Sequence, residues 1–188
     1  MPLGPKRYPS LAAVDSVSLR LIRFQSPMPK RMNRAECERF LAGRHVAVLA
    51  TLSPDGRPVL APIWYVYRDG ALYMRTGRAS IKARNVSGDQ RVTICVQDER
   101  PPYKSVTLYG RATIEGVDDG LGATIARRYL GAVGGAFYMR MAREAVEQSE
   151  EITLVMRPER VATQDFSTET PLSGRVWLLA KRLLPPWL

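Results

Sequence analysis

The chain has 188 residues, 45% hydrophobic and 24% charged, with a formal net charge of +10. That length suits one domain, or one domain with tails. The ordinary composition excludes long disordered, collagen-like and coiled-coil chains. No apolar run approaches the roughly 18 to 20 residues that span a bilayer, so no membrane partner is expected. Two cysteines, Cys37 and Cys95, do not make a disulfide scaffold and point to a reducing cytoplasm. With one histidine, His45, a structural zinc site lacks ligands, and no metal is expected.

The charge is unevenly placed. Residues 1–32 carry +5, residues 165–188 carry +1, and the long middle carries only +4. The stretch 75–91 alone accounts for a net +4 of that middle. One focused basic segment on a nearly balanced body suits a small anionic ligand better than a nucleic-acid stripe. No nucleic-acid partner is expected.

Residues 1–32 read as a disordered extension, interrupted by Pro2, Pro5, Pro9 and Pro27 and without clean periodicity. Asp15, Arg20 and Arg23 break the apolar residues that a signal peptide needs. A helix is expected at 34–43, with Asn33 as N-cap and Gly43 at its end. Strands follow at 45–52, 58–67 and 71–76, joined by the turns Ser53-Pro54-Asp55-Gly56 and Asp69-Gly70. Pro58 and Pro62 mark the second of these as an edge or bulged strand. A short helix at 80–87 has Ser80 as its cap. Strands at 91–97 and 105–116 come next, the latter alternating cleanly with Val106, Leu108, Gly110, Ala112 and Ile114 on one face.

Two helices are expected at 119–130 and 136–148, separated around Gly131. A late strand, 152–156 and 161–164, is kinked at Pro158. The domain is drawn at 33–166, with 167–188 as a C-terminal tail containing an apolar-basic piece, Val176–Leu184. Hairpin-linked strands with few helices suggest a mainly β, α+β chain built as an antiparallel barrel of six strands. There is neither a dinucleotide fingerprint nor a P-loop.

The segment from Tyr73 to Asn85 carries most of the chemistry. A strand ends, a Gly turn follows, and a helix opens with a hydroxyl cap, which is a suitable seat for phosphate. Arg75 and Lys82 add charge there, Thr76 and Ser80 add hydroxyls, and Asn85 shares a helix face with Lys82. The same pattern also describes a capped surface helix with solvated basic residues. The strand containing Val59, Ala61, Pro62 and Trp64 reads either as a core strand with a bulge or as a support for a flat ring. Arg100 and Tyr103 flank a stiff Pro101-Pro102 connection that reads as a loop. His45 and Cys95 read as structural, without a base or nucleophile partner nearby in sequence.

Val46-Ala47-Val48-Leu49-Ala50-Thr51, Asp55-Gly56-Arg57-Pro58, Pro62-Ile63-Trp64-Tyr65 and Ser80-Ile81-Lys82-Ala83-Arg84-Asn85 together resemble the pyridoxamine 5′-phosphate oxidase-like superfamily. Pro101-Pro102-Tyr103, Tyr109-Gly110-Arg111-Ala112, Arg128-Tyr129-Leu130-Gly131 and Pro158-Glu159-Arg160-Val161 are similar to its flavin/deazaflavin oxidoreductase B group. The resemblance covers about residues 34–166. It implies a six-stranded split β-barrel that forms a homodimer with its cofactor at the interface. It assigns phosphate to Arg75, Thr76, Ser80, Lys82 and Asn85, and the ring to the strand around Val59, Ala61, Pro62 and Trp64. Arg100 and Tyr103 would approach from the other subunit.

The expected activity is therefore an F420H2-dependent reduction of a small-molecule acceptor, with coenzyme F420 as cofactor and no assigned catalytic residue. Tyr65 and Tyr103 are candidate proton donors. Arg78 and Arg84 would suit the cofactor's polyglutamate tail. The alternatives are an FMN-binding oxidase or reductase of the same fold, and a non-catalytic flavin- or haem-binding module. The true oxidase uses further basic residues near its C-terminus for pyridoxal phosphate. That pattern is missing here, so vitamin B6 oxidation is not expected.

Overall fold

The computed structural model describes residues 29–100, 102–148 and 150–167. The expectations for residues 1–28 and 168–188 lie outside these. Helix α1 spans Arg34–Ala42 and opens on a reciprocal cap. Asn33 Oδ1 accepts from the Glu36 amide at 2.9 Å, and the Asn33 amide donates to Glu36 Oε2 at 2.8 Å. Such a cap stabilises a short helix by about 1 kcal/mol.

Seven strands follow: β1 Ala47–Leu52, β2 Pro58–Ile63, β3 Tyr65–Arg68, β4 Ala71–Gly77, β5 Arg91–Asp98, β6 Lys104–Glu115 and β7 Glu151–Asp165. Helix α2 is Ile81–Gly88 and α3 is Asp119–Gln148. Every strand pair is antiparallel, and the sheet order is β2-β1-β5-β6-β7-β4-β3. The two outermost strands are thus neighbours in sequence, joined by Trp64 alone. A sheet can meet that condition only by curling until its edges approach, which is a barrel left split at one seam.

The expected strand 58–67 is therefore two strands, and the count is seven rather than six. Trp64 is where the chain changes partner, from β1 to β4. Prolines explain why the seam stays open. Pro58 and Pro62 both stay in register with β1, opposite Leu52 and Val48. Their missing N–H groups then fall on the free edge, which cannot complete a ladder.

Alternation fills the barrel. Leu49, Leu72, Met74, Ile94, Leu108, Leu154 and Met156 are all buried. The Asp69-Gly70 turn has positive φ at both residues, 52° and 74°, as a tight two-residue hairpin requires. The late strand is continuous rather than broken at Pro158. The irregularity sits as a bulge between Tyr109 and Gly110, opposite Pro158. A Cβ on Gly110 would run into the Arg157 carbonyl, so the bulge needs glycine.

Helix α3 contains both expected helices, divided at Gly131 by a non-helical φ of 76°. It lies against β3 and β4. Lys30 forms an isolated bridge with Asp165, which ties the start of the described chain to the end of β7. Among the described residues, no helix is long and apolar enough to cross a membrane.

A cleft beside the barrel seam

A cleft of about 360 Å³ opens where the seam, the first turn of α2 and helix α3 meet. That volume lies at the lower end for small-molecule sites, roughly 300–1,000 Å³. Its polar end is built by Arg75 and Thr76 from β4, Lys82 from α2 and Glu151 from β7. Its apolar end includes Val46, Ile63, Trp64, Ile125, Tyr138 and Met139.

The α2 turn follows from its cap. Ser80 Oγ accepts from the Ala83 amide at 3.2 Å, and the Ser80 carbonyl accepts from the Arg84 amide at 3.0 Å. The amides of Ile81 and Lys82 have no intrahelical acceptor, as in any first turn. Thr76 Oγ1 donates to Ser80 Oγ at 3.1 Å, which leaves the Ser80 hydroxyl proton free to point elsewhere. Among the described residues, no carboxylate is paired with Lys82.

Arg75 behaves differently. Its guanidinium is paired with Glu151, the two side chains being only 13% and 20% exposed. It lies so close to Gly122 that any side chain there would displace it. Arg75 Nε is nevertheless buried without an acceptor. Among the described residues, the cleft therefore holds one compensated cation and one uncompensated cation.

Five of the eleven residues singled out from sequence line this cleft: Pro62, Trp64, Arg75, Thr76 and Lys82. Ser80 is not on its wall but bonds to Thr76, which is. Asn85 is buried and donates from Nδ2 to Thr51 Oγ1 at 3.0 Å, so its amide ties α2 to β1. Val59 and Ala61 sit on β2 outside the cleft. Arg100 and Tyr103 flank the β5–β6 connection away from it, Arg100 beside Asp98 and Tyr103 exposed. Arg78 pairs with Glu150 at 2.8 Å, whereas Arg84 is exposed.

Tyr65 is fully buried and its hydroxyl donates to the Leu41 carbonyl at 3.0 Å, so it does not present a proton to the cleft. His45 stacks on Phe40 with ring centroids 4.4 Å apart, a packing role. Among the described residues, no group of three or more His, Cys, Asp or Glu side chains could hold a metal ion.

The sequence reading missed the α3 wall, Gly122, Ile125, Tyr138 and Met139, and the acid Glu151. Only the aromatic run Phe137-Tyr138 gave any signal of the former. Glu151 begins a strand with nothing nearby in sequence to mark it.

The donors at the polar end fit a phosphate. Among the described residues Lys82 Nζ lacks a counter-charge, two first-turn amides have no intrahelical acceptor, and Ser80 keeps a hydroxyl proton because Thr76 donates to it. A ring lying beside Pro62 would meet backbone with one donor fewer.

The protein-family model described as pyridoxamine 5′-phosphate oxidase matches residues 34–165. No curated protein matches the chain. Among solved structures, a conserved hypothetical protein of Mycobacterium tuberculosis is 26% identical, with a TM-score of 0.62, covering 74% of this chain and 89% of that one. A haem storage protein of Vibrio cholerae is 19% identical at a TM-score of 0.54, covering 73% and 98%. An FAD-binding protein of Mesorhizobium loti is 21% identical at a TM-score of 0.52, covering 74% and 99%. The last two share the fold. With the family match running from α1 to the end of β7, the chain belongs to the pyridoxamine 5′-phosphate oxidase family of split barrels.

Proposed function

We propose that this protein is an oxidoreductase that uses coenzyme F420 to reduce a small-molecule acceptor, with the cofactor held at a homodimer interface. The observation that carries the reading is Lys82: an uncompensated cation at an open helix N-terminus, on the wall of a cleft whose other end is apolar. Lys82, the Ser80 hydroxyl, which Thr76 orients by donating to it, and the first-turn amides of α2 would bind the cofactor phosphate. Arg75, already neutralised by Glu151, would contribute shape and its free Nε rather than net charge. When bound, the reduced deazaflavin supplies the hydride. The chain's own work is to seat the phosphate, keep the ring beside Pro62, and exclude water with α3.

FMN remains a second reading for a specific reason. Arg78, one of the two cations suited to a polyglutamate tail, is engaged by Glu150, so only exposed Arg84 favours F420 over FMN. The dimer rests on the β2 edge, where Leu60 is 65% exposed beside two prolines, and on Arg100 and Tyr103, which lie away from their own cleft and would serve the partner's. Sedimentation at the chain mass of 21.1 kDa across micromolar concentrations would reject that dimer.

Titration of the purified protein with F420 and with FMN, followed by absorbance, tests the cofactor. F420 binding weakened by Lys82→Ala is the expected result. Binding of neither cofactor, or binding indifferent to Lys82, overturns the reading.

A further inference from the structure

The apolar end of the cleft contains an aromatic wall that is held from behind. Trp64 stacks on Tyr129, with ring centroids 4.8 Å apart and planes 6° from parallel. Tyr129 is not on the cleft wall, whereas Trp64 and Tyr138 are. Tyr129 is itself fixed. Its hydroxyl donates to the His45 carbonyl at 2.6 Å and accepts from the Tyr65 amide at 3.3 Å. The neighbouring Arg128 donates to the Leu41 and Gly43 carbonyls at the end of α1. Trp64 therefore stacks on a ring that is itself held by hydrogen bonds, with Arg128 beside it tied to the end of α1. Tyr138 meets it at a tilt of 56° and 5.9 Å, and is itself 46% exposed.

Charge separates this end of the cleft from the other. Ile63, Ile125, Ala126, Met139 and Ala142 line the cleft with the aromatic pair, and none carries charge. The cleft's charged groups are Arg75, Glu151 and Lys82. Arg75 and Glu151 cancel, and Lys82 is the group that the cofactor phosphate would occupy. Among the described lining residues, a second anion would find no cation left to meet it, and desolvating an unpaired charge is costly. A flat, uncharged ring would instead meet a preorganised aromatic face.

We propose that Trp64 and Tyr138 form the acceptor subsite, and that it selects uncharged, planar, largely apolar ring molecules over anionic ones. This rests on the cofactor reading for what fills the polar end, but not for the ring preference itself. Tyr138 is the specificity-determining side chain, because it is half-exposed and lies beyond the Gly131 break, away from the locked network.

Calorimetric titration with 2-naphthamide and 2-naphthoate tests the subsite. The two probes share a ring system and differ by one charge. In the Lys82→Ala protein, where the cleft's free cation is gone, 2-naphthamide should bind more tightly than 2-naphthoate. Tyr138→Ala should weaken 2-naphthamide roughly two- to tenfold, and Tyr138→Phe should restore most of that loss. Melting temperatures measured alongside should be unchanged by either Tyr138 variant. Equal or tighter binding of 2-naphthoate in Lys82→Ala, or 2-naphthamide affinity indifferent to Tyr138→Ala, overturns the proposal. If 2-naphthamide depends on Tyr138 while neither F420 nor FMN binds, the cofactor reading fails and the ring subsite stands.

Discussion

Two polar regions flank Trp64, and they are built on opposite rules. Behind it, most strong donors are used, Arg128 Nε being buried without an acceptor. Arg128 serves two carbonyls at the end of α1, Tyr129 bridges His45 and Tyr65, and Tyr65 closes on Leu41. In front of it, the α2 turn leaves amides open and, among the described residues, Lys82 without a counter-charge. Saturated polar groups fix a fold, and polar groups left unsaturated beside a cleft are what a ligand can complete. The contrast separates structural from binding residues where sequence could not, since Arg128 and Lys82 look equally basic on paper.

The largest effect should come from the saturated side. Arg128→Ala removes two charge-assisted bonds, leaving the Leu41 carbonyl to Tyr65 and the Gly43 carbonyl to the His45 amide, and takes a cation from a helix C-terminus. Unfolding free energy should drop by roughly 2–4 kcal/mol, and melting temperature by roughly 2–4 °C for each kcal/mol. Urea denaturation checks it. A loss under about 0.5 kcal/mol, the size of an ordinary surface change, would mean that the network does not hold α3 to α1.

Lys82→Ala should do the reverse. It removes one charge-assisted bond to phosphate, worth roughly 1.5–3 kcal/mol, so cofactor affinity should fall about tenfold to a hundredfold. Stability without cofactor should move by no more than about 0.5 kcal/mol. Lys82→Glu should bind worse still. Parallel absorbance titrations and melts read both quantities, and unchanged affinity in both variants would move Lys82 to the structural side.

Asn85 sharpens the boundary between the two regions. It was assigned to phosphate by resemblance, yet its amide is buried against Thr51. Asn85→Ala should therefore cost about 1–2 kcal/mol of stability and leave cofactor affinity of the folded protein intact. A large affinity loss with normal stability would return Asn85 to the binding site.

What was legible in the sequence was what local chemistry dictates. The Asn33 and Ser80 caps, the Asp69-Gly70 hairpin and the alternation of residues 106–114 each act over a few residues, and all formed as read. The seam was legible in part. Pro58 and Pro62 marked an edge, but a strand's change of partner at Trp64 depends on where distant β1 and β4 lie. The α3 wall was invisible for the same reason, because Tyr138 reaches the cleft only through the kink at Gly131 and the packing of the helix on β3 and β4. Glu151 shows the limit most sharply. Its pairing with Arg75 spans 76 positions of sequence and converts an expected phosphate ligand into a neutralised one.

The smallest effect concerns pH and belongs to the saturated side. Tyr65 is fully buried. Burial first, and then the nearby Tyr129, push its ionisation well above the usual 10, while Arg128 only partly opposes them. The folded protein thus holds the neutral phenol, and the unfolded chain ionises near pH 10. For a group whose folded pKa is raised, the stabilising contribution is complete below the unfolded pKa and is lost as pH rises toward the folded one. One such group gives a decline of at most about 1.4 kcal/mol per pH unit above 10. Tyr129 is raised as well, again by burial first, and adds to the slope. Urea midpoints for the wild type should therefore show little contribution from these groups between pH 7 and 9, and a steepening fall beyond 10. Tyr65→Phe should cost about 1 kcal/mol at pH 7 through the lost bond to Leu41. It should also flatten the alkaline decline, so that the two proteins converge by about pH 11. Parallel curves for the two proteins above pH 10 would show that the Tyr65 phenol ionises within the folded state, and that this side of Trp64 is less closed than its hydrogen bonds imply.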